Sequence, residues 1–431
     1  MRPKPTRAEL CTIISQSTFP YALSLGVNYS ASGLPTRSSI MQSMLRWMFL
    51  FLGLDGYTPP NIQPQPALRP ENKPWHEIIT GVYREPPLLK IHDRKGTVRW
   101  SWERFDVTQD LPPGLKRCLY SSADDATDIK WMGNGTSVAA IYSDLVMVLN
   151  HTPEDPSTDK SITFAVCCDN EFLWNAHSVE PLPGERLAIG TTGQRPWDGI
   201  LVYNASRHAP LTDNPHLLQN ITGLRAIHGL IWDEHGQMLW AAGTDYAADG
   251  SDDVPARGVI RGYPFDSTTG RLHEDRTYFY SLPRPQDMDI QWGKNYSWWA
   301  GPHDLVPVPN QRKFLMSDDR GLHEFDIESG RFIADNEEVI RRYMKGFEVT
   351  TDERHGYNRD GGFEDLPLSD LKSFSLAPDG SFIYVQALWQ EFRGMHTSLV
   401  TRGLRHMINK GDEIYRSRWF GDVDGWPKPK E

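Results

Sequence analysis

RAIHGLIWDEHGQMLWAAGT, residues 225–244, decides the fold. An apolar run, Ile227–Trp232, meets a polar turn and then a second apolar run, Met238–Ala242. Each run is strand-sized, and the join is rich in turn formers, as a tight antiparallel hairpin requires. The same grammar recurs in DIKWMG–NGT–SVAAIYS, SVEPLP–GE–RLAIGTT, HDLVPVP–NQR–KFLMSD and KSFSLA–PDG–SFIYVQA. Most pairs are followed by further strand-like segments, such as DLVMVLN and SITFAVC after the first of these, and TSLVTRG and EIYRSRWF after the last. EIITGVYRE, LLKIHDR and TVRWSWE make an earlier, partial unit. Four antiparallel strands per unit, recurring about every 40–75 residues, predict an all-β chain: a β-propeller of six to seven four-stranded antiparallel blades. Only Asn336–Lys345 patterns as a helix, and a short one.

The propeller is expected over residues 76–424. Residues 1–40 lack apolar periodicity and read as a disordered N-terminal extension. Residues 41–75 hold an apolar segment, MLRWMFLFLGLDG from Met44, and then a Pro-rich linker. The apolar stretch is too short to span a bilayer, and it reads as an internal signal peptide or an anchor. Six of the fifteen asparagines lie in N-x-S/T sequons: Asn28, Asn134, Asn150, Asn204, Asn220 and Asn295. About two are expected by chance, so a secreted, extracellular glycoprotein is the expectation, with membrane anchoring through residues 41–54 as the alternative. Four cysteines are too few for a disulfide scaffold; Cys118 is placed to bridge to Cys167 or Cys168, or all stay free thiols. A net charge of −11 disfavours nucleic acid as a partner. The chain is expected to be a monomer.

If strands A to D run outward from the axis, the A–B and C–D turns share one face and the B–C and D–A loops the other. The A–B turns are short, whereas the opposite face collects long loops bearing Trp174, Arg195, Trp197, Arg225, Trp298, Trp299 and Arg393. Function concentrates on long loops carried by a rigid scaffold. Three histidines, His177, His228 and His303, open the A strands of their units. Rotation about the axis therefore brings them together at the channel mouth under that rim. The openers of two other units add Asp128 with Lys130, and Lys372 with Ser373.

Three converging imidazoles suit a divalent ion (Mn, Zn or Ca), and the same groups near cations suit a carboxylate. No nucleotide or organic cofactor is indicated. Arginines pair carboxylates, and indole faces stack on sugars. The expected partner is thus an acidic oligosaccharide or polysaccharide. Arg225, Arg195 and Arg393 are candidates for binding it, with Trp174, Trp298 and Trp299 stacking the sugar. Lys372, Lys130 and His303 are the candidate catalytic groups, and His177, His228 and His303 the candidate metal ligands.

The ordered motifs D-x-K (Asp128, Lys130), N-x-H-S-x-E (Asn175, His177, Ser178, Glu180), HG-x-x-WD (His228, Gly229, Trp232, Asp233), HDL-x-PVP (from His303, Asp304 and Leu305) and KS (Lys372, Ser373) resemble a β-propeller family of uncharacterised function, best known from bacteria. VRWSWE (Val98–Glu103) and IYRSRWF (Ile414–Phe420) look like that family's first and last blades. The resemblance covers roughly residues 76–420 and implies a fold, with no activity to carry over. At fold level the arrangement is also similar to propeller polysaccharide lyases that act on uronates. The reading is therefore a carbohydrate-active lyase on a uronate-containing saccharide, or alternatively a non-catalytic glycan- or protein-binding propeller.

Overall fold

The computed structural model describes residues 77–168, 173–193, 195–245, 258–274, 278–281, 302–318, 321–348, 355–357, 363–365, 371–387 and 393–429. The N-terminal extension, the 41–75 segment, Asn28, Asn295, Trp298 and Trp299 lie outside the described residues.

Six sheets stand around a central axis, each built from four successive antiparallel positions. The second blade is the simplest: β4 (Asp128–Met132), β5 (Ser137–Tyr142), β6 (Leu145–Asn150) and β7 (Ile162–Cys167) run outward in chain order. The third blade is β8 (Ala176–Leu182) to β11 (Leu217–Thr222). The fourth starts with β12 (Arg225–Asp233), the fifth with β17 (Asp304–Pro307) and the sixth with β23 (Leu371–Leu376), ending at β26 (Leu404–Ile408). A small separate hairpin pairs His355–Tyr357 with Phe363–Asp365. The expected helix forms over Asn336–Tyr343.

The first blade corrects the sequence reading. EIYRSRWF was assigned as the outer strand of the last blade. It is β27 (Glu413–Trp419), and it pairs with β1 (Glu77–Tyr83) as the innermost strand of the first blade, ahead of β2 (Leu88–Asp93) and β3 (Val98–Trp102). The outer place in the sixth blade belongs to β26. The end of the chain thereby closes the ring, and the number of blades is six.

Both faces of a blade are buried against its neighbours, so the strands read as nearly unbroken apolar runs rather than alternating ones. In β5, Val138, Ala140 and Tyr142 enter the core shared with the first blade, while Ala139 and Ile141 enter the core shared with the third. Six such cores fill the six seams among the described residues, and Ile78, Ile383 and Trp419 close the last of them. A disulfide, Cys118–Cys167, ties helix Pro113–Leu119 to β7, while Cys168 stays a buried thiol. Among the described residues no helix is long and apolar enough to cross a membrane.

Candidate functional site

The six inner strands β27, β4, β8, β12, β17 and β23 line the axis in that order. Each backbone must be held to the next without a ladder, and side chains do it. The Asp128 carboxylate accepts the backbone N–H of Val179, Glu180 that of Trp232, and Asp304 that of Phe374. The Ser373 hydroxyl accepts that of Ser417. The motif residues Asp128, Glu180, Asp304 and Ser373 are therefore stitches between neighbouring blades. At the seam between the fourth and fifth blades Arg312 pairs with Asp233, and Gly229 lets the inner strands approach closely: a Cβ there would lie 2.5 Å from Leu305 Cβ.

Two arginines from β27 turn these acids into a plug. Arg416 is fully buried; its guanidinium donates to Asp304 at 2.9 Å and to the carbonyls of His228 and His303. Arg418 donates to Asp304 at 3.0 Å and to Asp128 at 3.3 Å. Burial alone would raise the pKa of Asp128, but Arg416, Arg418 and Lys130 hold it well below the usual carboxylate range. Further along the axis, the Lys130 ammonium is 2.7 Å from Glu180 and also donates to the carbonyl of Leu230. Lys428, in the segment after β27, adds a second cation to Glu180. Lys130, a candidate base in the sequence, is thus placed in a buried ion pair rather than at the mouth.

The three histidines do come together. The rings of His177 and His228 stand 4.9 Å apart and those of His228 and His303 5.3 Å, all edge to face. Lys372 Nζ lies 3.4 Å from His303 Nε2. Tyr415, one residue before Arg416, closes the circle with its ring 5.8 Å from that of His177. The mouth is a ring of three imidazoles, an ammonium and a phenol. Nδ1 of His177 sits on the carbonyl of Asn175 at 3.2 Å, and Nδ1 of His228 on that of Ala226 at 2.9 Å. A carbonyl can only accept, so Nδ1 carries the proton and Nε2 is the basic atom. Burial, then the Arg416 charge, lowers the pKa of His177 to about 4. Burial and the neighbouring imidazoles push His228 well below its ordinary value. Both are neutral at neutral pH.

The rim arginines already have partners. Arg195 donates to Asp198 and lies between the indoles of Trp174 and Trp197, 5.4 and 5.5 Å from their centres. Arg225 donates to the carbonyls of Arg195 and Asp198. Arg393 pairs with Asp124 and Glu413 and covers Tyr83. Trp174 is 51% exposed, so it offers an indole to solvent. Sequence reasoning missed Tyr415 and Arg416, because both depend on where β27 lies. It also missed Asp125, on the approach to β4, whose carboxyl is pushed up to about 7 by burial and by Asp144 and Asp124. The signal for β27 was available: the first unit had three strands and needed a fourth.

As the side chains stand, no group of three or more His, Cys, Asp or Glu among the described residues has the disposition to hold a metal ion.

No family model matches the chain, and no curated protein sequence matches it. Among solved structures it is similar to a chain of the mitotic checkpoint complex (TM-score 0.39, 10% identity, 82% of this chain and 88% of that one). It is also similar to the β-propeller domain of Cps50 (Swd1) from Myceliophteria thermophila (0.38, 11%, 78% and 83%). A third is a candidate 6-phosphogluconolactonase from Bacteroides uniformis (0.44, 13%, 80% and 99%). These likenesses are too distant to bear on activity, and the chain's own six closed sheets make it a six-bladed β-propeller.

Proposed function

We propose that the protein is a secreted, carbohydrate-active propeller, a lyase that cleaves an acidic, uronate-containing saccharide at the channel mouth. The observation that carries this reading is the ring of His177, His228, His303, Lys372 and Tyr415, which sets three imidazoles beside an amine and a phenol. A uronate carboxylate on Lys372 would spread the charge that develops when the C5 proton leaves. His177 Nε2 takes that proton, with the tautomer held by the carbonyl of Asn175. The C4–O4 bond breaks as the C4–C5 double bond forms, and the Tyr415 hydroxyl gives its proton to the departing O4. Trp174 offers an exposed face to an adjoining sugar. The Cys118–Cys167 disulfide supports an oxidising compartment.

The test is the ultraviolet absorbance of unsaturated uronate, followed on a panel of uronate-bearing polysaccharides. Absorbance should rise with the native protein. Each of His177→Ala and Lys372→Met should lower the rate by about 10²–10⁴-fold. Saturable binding without any rise would replace the lyase by a glycan-binding propeller. Loss on chelation with recovery on adding Mn or Zn would bring the three imidazoles back as metal ligands.

A further inference from the structure

We infer that Asn134 and Asn204 carry N-linked glycans on the face opposite the channel mouth, while Asn150 and Asn220 stay bare. Asn134 lies in the turn between β4 and β5, and Asn204 ends β10 (Gly199–Asn204), the third strand of its blade. Both positions fall on the side of the short turns, away from the histidine ring. Both asparagines are exposed.

Local geometry separates the four sequons. Asn134 sits at φ 52° in a turn, and its side chain has no hydrogen bond among the described residues. Asn204 has its amide oxygen accepting the backbone N–H of Ser206, so its sequon is already folded back on itself as an Asx turn. Its Nδ2, the nitrogen that would receive the sugar, is not held by the described residues. Asn150 is the reverse: its Nδ2 donates to Ser161 Oγ at 2.8 Å and to the carbonyl of Thr158. These partners are eleven and eight residues away, so the turn that captures the nitrogen closes locally, without waiting for the rest of the fold. Asn220 lies within the extended strand β11, paired with Leu201, and its amide oxygen is buried. An extended sequon cannot fold its third residue back.

In the transfer, C1 of a lipid-pyrophosphate-linked oligosaccharide joins the asparagine Nδ2. The amide loses one proton and the lipid pyrophosphate departs. The two glycans would flank a small groove lined in part by Gly133, Glu185, Ala205 and Lys428. This inference needs the secretory route and is independent of any catalysis at the mouth.

The experiment is site occupancy. The full chain is made in a glycosylating eukaryotic host and recovered from medium and microsomes. It is then treated with peptide N-glycosidase in ¹⁸O water and mapped by mass spectrometry. Label is expected at Asn134 and Asn204 in most molecules, with unmodified amide at Asn150 and Asn220. Thr136→Ala and Ser206→Ala should each remove one glycan from the intact mass. Unlabelled Asn134 and Asn204, or label at Asn150 or Asn220, overturns the assignment. Recovery of the chain only outside the secretory membranes with every sequon bare overturns it too.

Discussion

The channel holds two chemistries one strand position apart. At the mouth, His177 and His228 are buried or half-buried and neutral, each with one nitrogen anchored on a carbonyl and the other left basic. Below them, Asp128, Asp304, Arg416 and Arg418 are enclosed and joined in ion pairs, the carboxylates also accepting backbone N–H groups and Arg416 donating to backbone carbonyls. The contrast teaches how to read motif residues. A buried ion whose partners are all satisfied is holding backbone in place. A buried base with a basic atom to spare is available for chemistry. The two layers also touch: Arg416 grips the carbonyls of His228 and His303, so the plug positions the ring above it.

The harshest way to break the contrast is to strip one charge from the plug. Asp304→Ala leaves Arg416 and Arg418 short of their shared acid, and a loss of about 3–5 kcal/mol is expected in denaturant unfolding. His177→Gln at the mouth should stay within about 1 kcal/mol of native stability in the same assay. Equal losses for the two would erase the distinction.

Acid sharpens it. His177 and His92 both fall to about 4 in the folded protein, each mainly through burial, from an ordinary 6.5. Between those values the unfolded chain binds protons that the folded one refuses. The contribution of each of these histidines is therefore full above pH 6.5 and lost as pH falls towards 4, at up to about 1.4 kcal/mol per pH unit, while Asp125, raised to about 7 by burial, works in the opposite sense over the same range. Asp128 is held low from 3.8, so its own contribution to the fall begins only as pH approaches 4. Unfolding curves across that range, repeated with His177→Gln, should show a shallower fall; an unchanged slope would mean the mouth imidazole is not buried neutral.

The remaining effects are smaller. Gly229→Ala pushes a methyl against Leu305 and should cost about 1–3 kcal/mol by thermal melting, unless the two blades can part slightly. Arg393→Ala removes exposed pairs on the rim and should cost no more than about 1 kcal/mol, with turnover unchanged if the rim arginines are structural.

Much of this was legible before the structure. Hairpin turns such as EHGQ and PDG located the strands, and their repetition located the histidines, because a local pattern repeated about an axis becomes a global position. What escaped were the non-local pairings. The YRSR alternation in β27 names a strand but not its neighbour, so Tyr415, Arg416 and Arg418 were invisible at the channel. The rim arginines were read as carboxylate binders from type alone. For Arg195 the competing acid, Asp198, stood three residues away and could have been weighed. In the D-x-K, HSxE and HDL motifs the acids Asp128, Glu180 and Asp304 mark the seams between blades, a role their order in the sequence did not announce.

The closing strand has a consequence for synthesis. Thr80 and Ser417 share a hydrogen bond across 337 residues, so β1 emerges from the ribosome without its inner partner and remains an exposed edge until β27 has been made. Such an edge invites pairing with another chain. A stop codon a few residues before Arg416 would remove β27 and leave that edge permanently open. Termination there should therefore yield aggregated protein rather than a working propeller that lacks one strand.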